Sequence, residues 1–300
     1  MKPRVRFFRI FLIAFCIVFA AELILRFGFG FGDPPLFYAS DKYEYFYQPH
    51  QKVLTFHNRL ITNEFGMRSG PAEGEVVILK IGDSVIHGGV QTDHDSLAST
   101  KLEKKLRAQF ERQITVLNIS AGSWGVDNAA AFLEKHGDFG AKIVVMVFSS
   151  HDLRDNMSFD PCVGIHPSFP ESSTNLALVD FVSRYAWPKI FPPAKTTVPQ
   201  PVNPAWNYFF DRIRKQDWHF LFVLHPDINE IAAGTYNEDG QQLLKMLAEN
   251  DIAVIRELES GAKASMYRDE VHFNDAGQNQ LVTEIYPWLT DRVEAVLQGR

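Results

Sequence analysis

The chain has 300 residues, 46% hydrophobic and 22% charged, with a formal net charge of −6. That balance excludes a disordered or fibrous chain, and the acidic excess offers no basic stripe for nucleic acid, so none is expected as a partner. The charge is unevenly spread: residues 1–32 carry five Lys and Arg against Glu22, a net of +4, while the other 268 residues carry 25 against 35, a net of −10.

The first element is a basic, apolar head. Twelve uninterrupted apolar residues run from Ile10 to Ala21. The stretch Phe7 to Leu25, with Arg9 able to snorkel, approaches the ~20 residues that cross a bilayer. Residues 1–32 are therefore read as a cytoplasmic basic start followed by one membrane anchor. A cleavable secretory signal is the competing reading; it requires small residues at a cleavage site, and Ala20 and Ala21 lack a small partner at the matching earlier position. On either reading Lys2, Arg4, Arg6 and Arg9 hold the N-terminus in the cytoplasm. The acidic body is expected on the extracytoplasmic side of the inner membrane. Cys16 lies in the head, leaving Cys162 alone in the body, so no disulfide is expected there. Cys162 sits in Asp-Pro-Cys-Val-Gly without a neighbouring base and is not expected to be a nucleophile.

Residues 33–75 read as an irregular lead segment with the aromatic string Tyr43, Tyr45, Phe46, Tyr47. The alternation in Val53 to Phe56 suggests a hairpin or collar. An α/β rhythm then fills 76–300. Apolar strands are expected at Val76–Ile81, Ile114–Ile119, Ile143–Phe148, His219–Leu224 and Ile252–Glu257. Helices are expected at Ser96–Gln113, Val126–His136, Asn207–Lys215, Gly240–Asn250 and Asp275–Gln298, the last with Pro287 as a kink or break. Residues 157–205 contain nine prolines and read as an ordered insertion or lid. Five strands alternating with helices predict a doubly wound parallel α/β sheet of flavodoxin-like type.

In such sheets ligands bind beyond the carboxyl ends of the strands. Those ends carry Gly82-Asp83-Ser84, then Asn118 through Gly122 and Ser123, then Ser149-Ser150-His151-Asp152, and finally Asp269-x-x-His272. Each alone is a common turn or helix cap. Together they supply a hydroxyl, an imidazole and a carboxylate, the set that nucleophilic attack on an ester requires. His87, His219 and His225 stand outside that set. His87, three residues past Ser84, with Asp83, Asp269 and His272 also offers metal-ligating types. The further His and Asp blocks that a metallophosphoesterase needs are missing, so neither metal nor cofactor is expected.

These blocks resemble those of the SGNH or GDSL-type esterases and lipases over roughly residues 60 to 300. Thr62-Asn63-x-x-Gly66-x-Arg68 resembles the lead of membrane-anchored bacterial members. The resemblance implies Ser84 as nucleophile, His272 as general base and acid, and Asp269 as the residue orienting His272. It also implies an oxyanion hole at the Ser84 N–H, a main-chain N–H at Ser123 or Gly122, and His151. Two positions depart from the family pattern: Ser123 stands where a glycine is usual, and His151 where an asparagine donates. A neutral imidazole can donate in that place; the alternative is a loop residue held by Asp152 or Asp155. Asp83, His87, Asp152 and Asn118 are candidate pocket residues. The expected activity is a serine esterase or O-acyltransferase acting on acylated small molecules or polysaccharide. The alternative is a non-catalytic, membrane-anchored polysaccharide-binding protein on the same fold.

Overall fold

The computed structural model describes residues 3–191, 200–215 and 218–299. The head forms α1 (Pro3–Leu23), whose apolar side chains from Phe7 to Phe19 are exposed. The stretch Arg6–Gly28 is long and apolar enough to cross a membrane. The lead segment makes two antiparallel hairpins, β1 (Phe37–Ser40) with β2 (Glu44–Tyr47), and β3 (Lys52–Thr55) with β4 (Asn58–Ile61).

The main sheet holds β5 (Val76–Gly82), β6 (Ile114–Ser120), β7 (Ile143–Ser149), β8 (His219–His225) and β9 (Val254–Arg256). All are parallel, in the order β6-β5-β7-β8-β9. Between them run the one-turn α2 (Ser84–His87), α3 (Ala98–Phe110), α4 (Val126–His136), the short α5 (Ala177–Phe181) and α6 (Trp187–Ile190), and α7 (Ala205–Lys215). There follow α8 (Ile228–Ala233), α9 (Glu238–Glu249), α10 (Glu257–Ser260) and α11 (Asp275–Leu297). The doubly wound sheet is thus present, with strand order reversing between β6 and β7 around β5.

Alternation along β5 shows how the two faces are sealed. Val77, Leu79 and Ile81 pack toward α4, α7 and α9, whereas Val76 and Ile78 pack toward α3 and α11 through Leu102, Leu106, Leu281 and Ile285. The lead aromatics belong to the first of these cores. Tyr43, Tyr45, Phe46 and Tyr47 are all buried, and Phe46 stacks on Trp124 with ring centroids 4.6 Å apart. They form a packed collar and present no open stacking face.

Several ends differ from the expected spans. The third helix begins at Ala98 because His94–Ser96 is a 3-10 turn, and stops at Phe110 because Glu111 takes a left-handed φ of 54°. The last strand ends at Arg256 and α10 starts at Glu257, whose carboxylate turns inward to His225. Pro287 lies within one continuous α11. The segment 157–191 is threaded by α5, a π turn at Val182–Ala186, and α6; residues 192–199 of the expected insertion lie outside the described residues.

Gly66 has φ +84°, and a Cβ there would stand 2.1 Å from the Tyr47 carbonyl oxygen. Both backbone strain and a main-chain clash oppose a side chain. Gly66→Ala is expected to destabilise the fold by about 1–3 kcal/mol, read as a lowered midpoint in urea.

Candidate active site

β5 delivers Gly82, Asp83 and Ser84 to the carboxyl edge of the sheet at the point where strand order reverses. A Cβ on Gly82 would lie 2.3 Å from the Val147 carbonyl oxygen, so the turn runs hard against β7. Asp83 caps α2, its Oδ1 accepting from the Val85 N–H at 2.8 Å. Ser84 therefore opens a single helical turn with its side chain half-exposed and its N–H among the helix's unpaired leading amides.

The Asp-x-x-His block comes from the loop ahead of α11. His272 Nε2 lies 2.8 Å from Ser84 Oγ, and His272 Nδ1 lies 2.8 and 3.0 Å from the two Asp269 oxygens. With the proton on Nδ1 donated to Asp269, Nε2 accepts from the serine hydroxyl. Asp269 Oδ1 also accepts the Val271 and His272 amides at 3.1 and 2.8 Å, so the three-residue spacing lets the carboxylate brace its own turn. Burial pulls the His272 pKa below its ordinary 6.5, more than the Asp269 carboxylate pulls it up. The ring is then neutral at neutral pH, as a general base must be. Burial pushes Asp269 upward, but the His272 and Val271 amides and the His272 ring outweigh it and hold it below the usual carboxylate range.

His225, outside the set of Ser84, His272 and Asp269, lies beneath this loop. Its Nε2 is 2.7 Å from the Val271 carbonyl and its Nδ1 2.5 Å from Glu257 Oε2. Both partners accept, so both ring nitrogens carry hydrogen. Burial works against that charge, but Glu257 and the Val271 carbonyl overcome it and the pKa is raised.

In the loop after β6, Ser123 takes φ +55°, the left-handed conformation for which glycine is usual. Gly122 has ordinary φ and open space around its Cβ position, so the backbone reversal falls on Ser123. Tyr45 Oη donates to the Gly122 and Ser123 carbonyls at 2.7 and 3.1 Å, which ties this loop to the collar. The His151 side chain is 55% exposed; its Nε2 is 3.8 Å from Asp83 Oδ2 and 3.7 Å from Asp152 Oδ1, beyond hydrogen-bond reach of either.

Asp83 and Asp152 are themselves buried and face one another. Asp152 Oδ2 accepts the Ser149 N–H at 2.7 Å, while Oδ1 has no partner. Burial, then the Asp152 charge, pushes Asp83 up to about 7. Burial raises Asp152 well above the usual range. Asp83, His151 and Asp152 offer three ligand atoms within 4.8 Å of one another, the one such metal-capable cluster among the described residues.

Two candidate pocket residues lie behind the site instead of lining it. Asn118 is fully buried, donating to the Ile86 carbonyl at 3.0 Å and accepting from Ser120 Oγ at 2.6 Å. His87 is 1% exposed and stacks on Tyr47 at 4.4 Å; burial drives its pKa well down, so it is a neutral packing residue.

The motif at 62–68 explains how the nucleophile's loop is held. Asn63 Oδ1 accepts the Phe65 and Met67 amides, and Thr62 Oγ1 donates to the Gln48 carbonyl. That turn aims the fully buried Arg68 at the chain following Ser84. Its Nη1 donates to the His87 and Gly89 carbonyls at 2.7 Å each, and its Nη2 to those of Arg59 and Thr92. Burial lowers the guanidinium only to about 10, so it is charged at neutral pH. Arg268 adds bonds to the Gly88 carbonyl and Thr92 Oγ1 at 3.0 and 2.9 Å. A cleft of about 730 Å³ opens beside Asp269, walled by Asn58, Gln91, Arg268 and Asn274. Asn58 and Gln91 stand in no motif of the sequence. Only Arg268, directly ahead of Asp269, carried a local signal.

A serine at a strand end and an Asp-x-x-His loop before the last helix, joined across a 2-1-3-4-5 parallel sheet, form the arrangement in which the chain resembles the SGNH class of hydrolases. No protein-family model and no curated protein sequence matches the chain. Solved structures similar to it include a lipase/acylhydrolase from Enterococcus faecalis, 12% identical, TM-score 0.47, covering 72% of this chain and 96% of that one. A carbohydrate acetylesterase family member from Sinorhizobium meliloti is 16% identical, TM-score 0.38, with 75% and 100% covered. A variant of an acetyl-xylooligosaccharide esterase from Geobacillus is 16% identical, TM-score 0.43, with 70% and 92% covered. Similarity at this level decides nothing about activity, which rests on the geometry above.

Because the Asp269 charge raises the His272 pKa, Asp269→Asn should move the acid limb of the pH–rate profile to still lower pH. It should also reduce kcat by roughly 10²–10⁴-fold through loss of the tautomer. In the unaltered protein that limb is expected below pH 6.5, since activity is lost as His272 gains its second proton. Arg68→Met leaves buried carbonyls unpaired and should cost about 3–5 kcal/mol of stability, measured by thermal unfolding.

Proposed function

We propose that the chain is a membrane-anchored serine esterase or O-acyltransferase acting on O-acyl esters, foremost acetyl esters of a cell-envelope or secreted polysaccharide. The observation that carries this reading is the unbroken relay from Ser84 through His272 to Asp269, each step 2.8 Å. Ser84 Oγ attacks the ester carbonyl while His272 Nε2 takes its proton, and Asp269 stabilises the resulting imidazolium. The Ser84 and Ser123 main-chain N–H groups and the His151 ring N–H receive the oxyanion. His272 then protonates the departing alcohol, and water or a sugar hydroxyl resolves the acyl-enzyme. The basic start and apolar α1 favour a single-pass anchor with the body on the extracytoplasmic side.

The full-length chain in detergent should hydrolyse p-nitrophenyl acetate and label with a fluorophosphonate. Ser84→Ala should abolish both; activity persisting in that variant would sink the assignment. A chelator should leave the rate unchanged. Chelator-sensitive activity that survives Ser84→Ala would transfer the chemistry to a cation held by Asp83, His151 and Asp152. His151→Ala should lower kcat by on the order of 10²–10³ with little change in KM, as expected for an oxyanion donor.

A further inference from the structure

The end of α1 is built into the body. Glu22 accepts the Ala177 and Leu178 amides at 2.8 Å each, capping α5, and pairs with Arg26 at 3.0 Å. Asp180 accepts the Gly32 N–H at 3.0 Å, and Phe31 packs edge-on against Phe56, Phe181 and Tyr185. The α5–α6 run therefore starts where the apolar stretch ends. From Arg6 to Gly28 that stretch rises about 35 Å against a hydrocarbon core of about 30 Å. Glu22 lies six residues, about 9 Å, short of Gly28, so it and the α5 terminus it caps come within the last two turns of the stretch, near the end at which it emerges.

The α5–α6 run is two-sided. Ala177, Asp180 and Tyr185 turn to the body, while Leu176, Val179, Val182, Trp187, Ile190 and Phe191 are 42–66% exposed. Between residues 176 and 191 the sole acid, Asp180, is buried and paired with Arg184 at 3.3 Å, and the exposed charge is Lys189. In a body of net charge −10 this is an apolar, cation-bearing strip. It continues onto Phe27, Phe29 and Leu54, also exposed, with Gly30 packed against the Leu54 carbonyl.

We propose that this strip is a second membrane contact: α5 and α6 lie in the headgroup region of the bilayer that α1 crosses, with Trp187 at the interface and Lys189 toward anionic headgroups. Apolar side chains on one side, an interfacial aromatic and an exposed cation are what such a surface helix uses. A bilayer fits better than a partner protein because the strip is continuous with an exposed helix long enough to span one. The strip also orients the site. Tyr185 and Arg184 wall a cavity of about 230 Å³ with Gly89, Val90 and Gln91, the loop directly after the Ser84 helix. Docking α5–α6 on the surface, together with the fixed end of α1, therefore sets the catalytic edge relative to the membrane. This inference rests on α1 being an anchor.

The test is nitroxide accessibility on the full-length chain in vesicles of phosphatidylethanolamine and phosphatidylglycerol, in a Cys16→Ala, Cys162→Ser background. Labels at Val179→Cys, Val182→Cys and Ile190→Cys should collide with oxygen more than with a water-soluble nickel chelate, as Ile13→Cys in α1 should. Lys245→Cys on α9 should show the reverse. Water-like values at the three α5–α6 positions overturn the strip whatever Ile13 shows. Lipid-like values there with water-like values at Ile13 would remove the anchor on which the proposal rests, leaving the strip as a sole and not a second membrane contact. Dipolar broadening between labels at Val182 would mean that a second copy covers the strip, and overturns the proposal. Val179→Glu with Ile190→Glu, which touch nothing in the site, should shift Trp187 emission toward the red in vesicles but leave hydrolysis of p-nitrophenyl acetate intact.

Discussion

One buried cation joins the parts of this protein. Arg68 belongs to the lead segment, yet its guanidinium is spent on carbonyls of the loop that follows Ser84 and of the β4 hairpin. Four carbonyls around one charge stabilise a group that would otherwise be costly to bury, with the Arg68 Nε–H alone left without a partner. The arrangement is rigid because the planar fork fixes the direction of each bond. Thr62, Asn63 and Gly66 shape the turn that aims it. The lead segment is thus a clamp on the nucleophile's loop, and Tyr45 extends the clamp to the loop carrying Ser123.

The site's charges are graded by depth. His272, partly shielded, is neutral and faces a half-exposed serine. Beneath its loop His225 is held in the protonated form by Glu257 and a main-chain carbonyl. Beside the nucleophile two buried carboxyls, Asp83 and Asp152, compete for protons because neither burial nor proximity favours two negative charges. His151, 55% exposed, lies between this buried acid pair and solvent.

The segment 157–191 follows different rules from the core. Core helices present apolar stripes inward and charge outward, as α3 does with Leu102 and Leu106 buried. The α5–α6 run turns Asp180 inward and Val179, Val182 and Ile190 outward. Asp180 is satisfied there by Arg184 and the Gly32 N–H, whereas the outward apolar groups are unfavourable in water alone and become reasonable beside a bilayer.

The parallel strands were legible because each is a short, almost wholly apolar run bounded by turn residues, and burial on both faces leaves no other pattern. The juxtaposition of Ser84 with His272 and Asp269 was legible because Ser84 follows an apolar run and the Asp-x-x-His block precedes the last helix, and the topology brings both to one edge. What the sequence could not show was anything set by contacts between distant segments. Asn118 and His87 are polar residues near the nucleophile and read as pocket, but the packing of Ile86, Ser99 and Tyr47 closes over them. Arg68 read as part of a motif, while its partners, up to 24 residues away along the chain, exist only once the hairpins dock on the sheet. Periodicity and local spacing therefore determined the elements and the order of the chemical groups. Which polar groups face solvent and which are consumed as scaffolding was decided by tertiary structure, because burial belongs to the surfaces that meet and not to the residue alone.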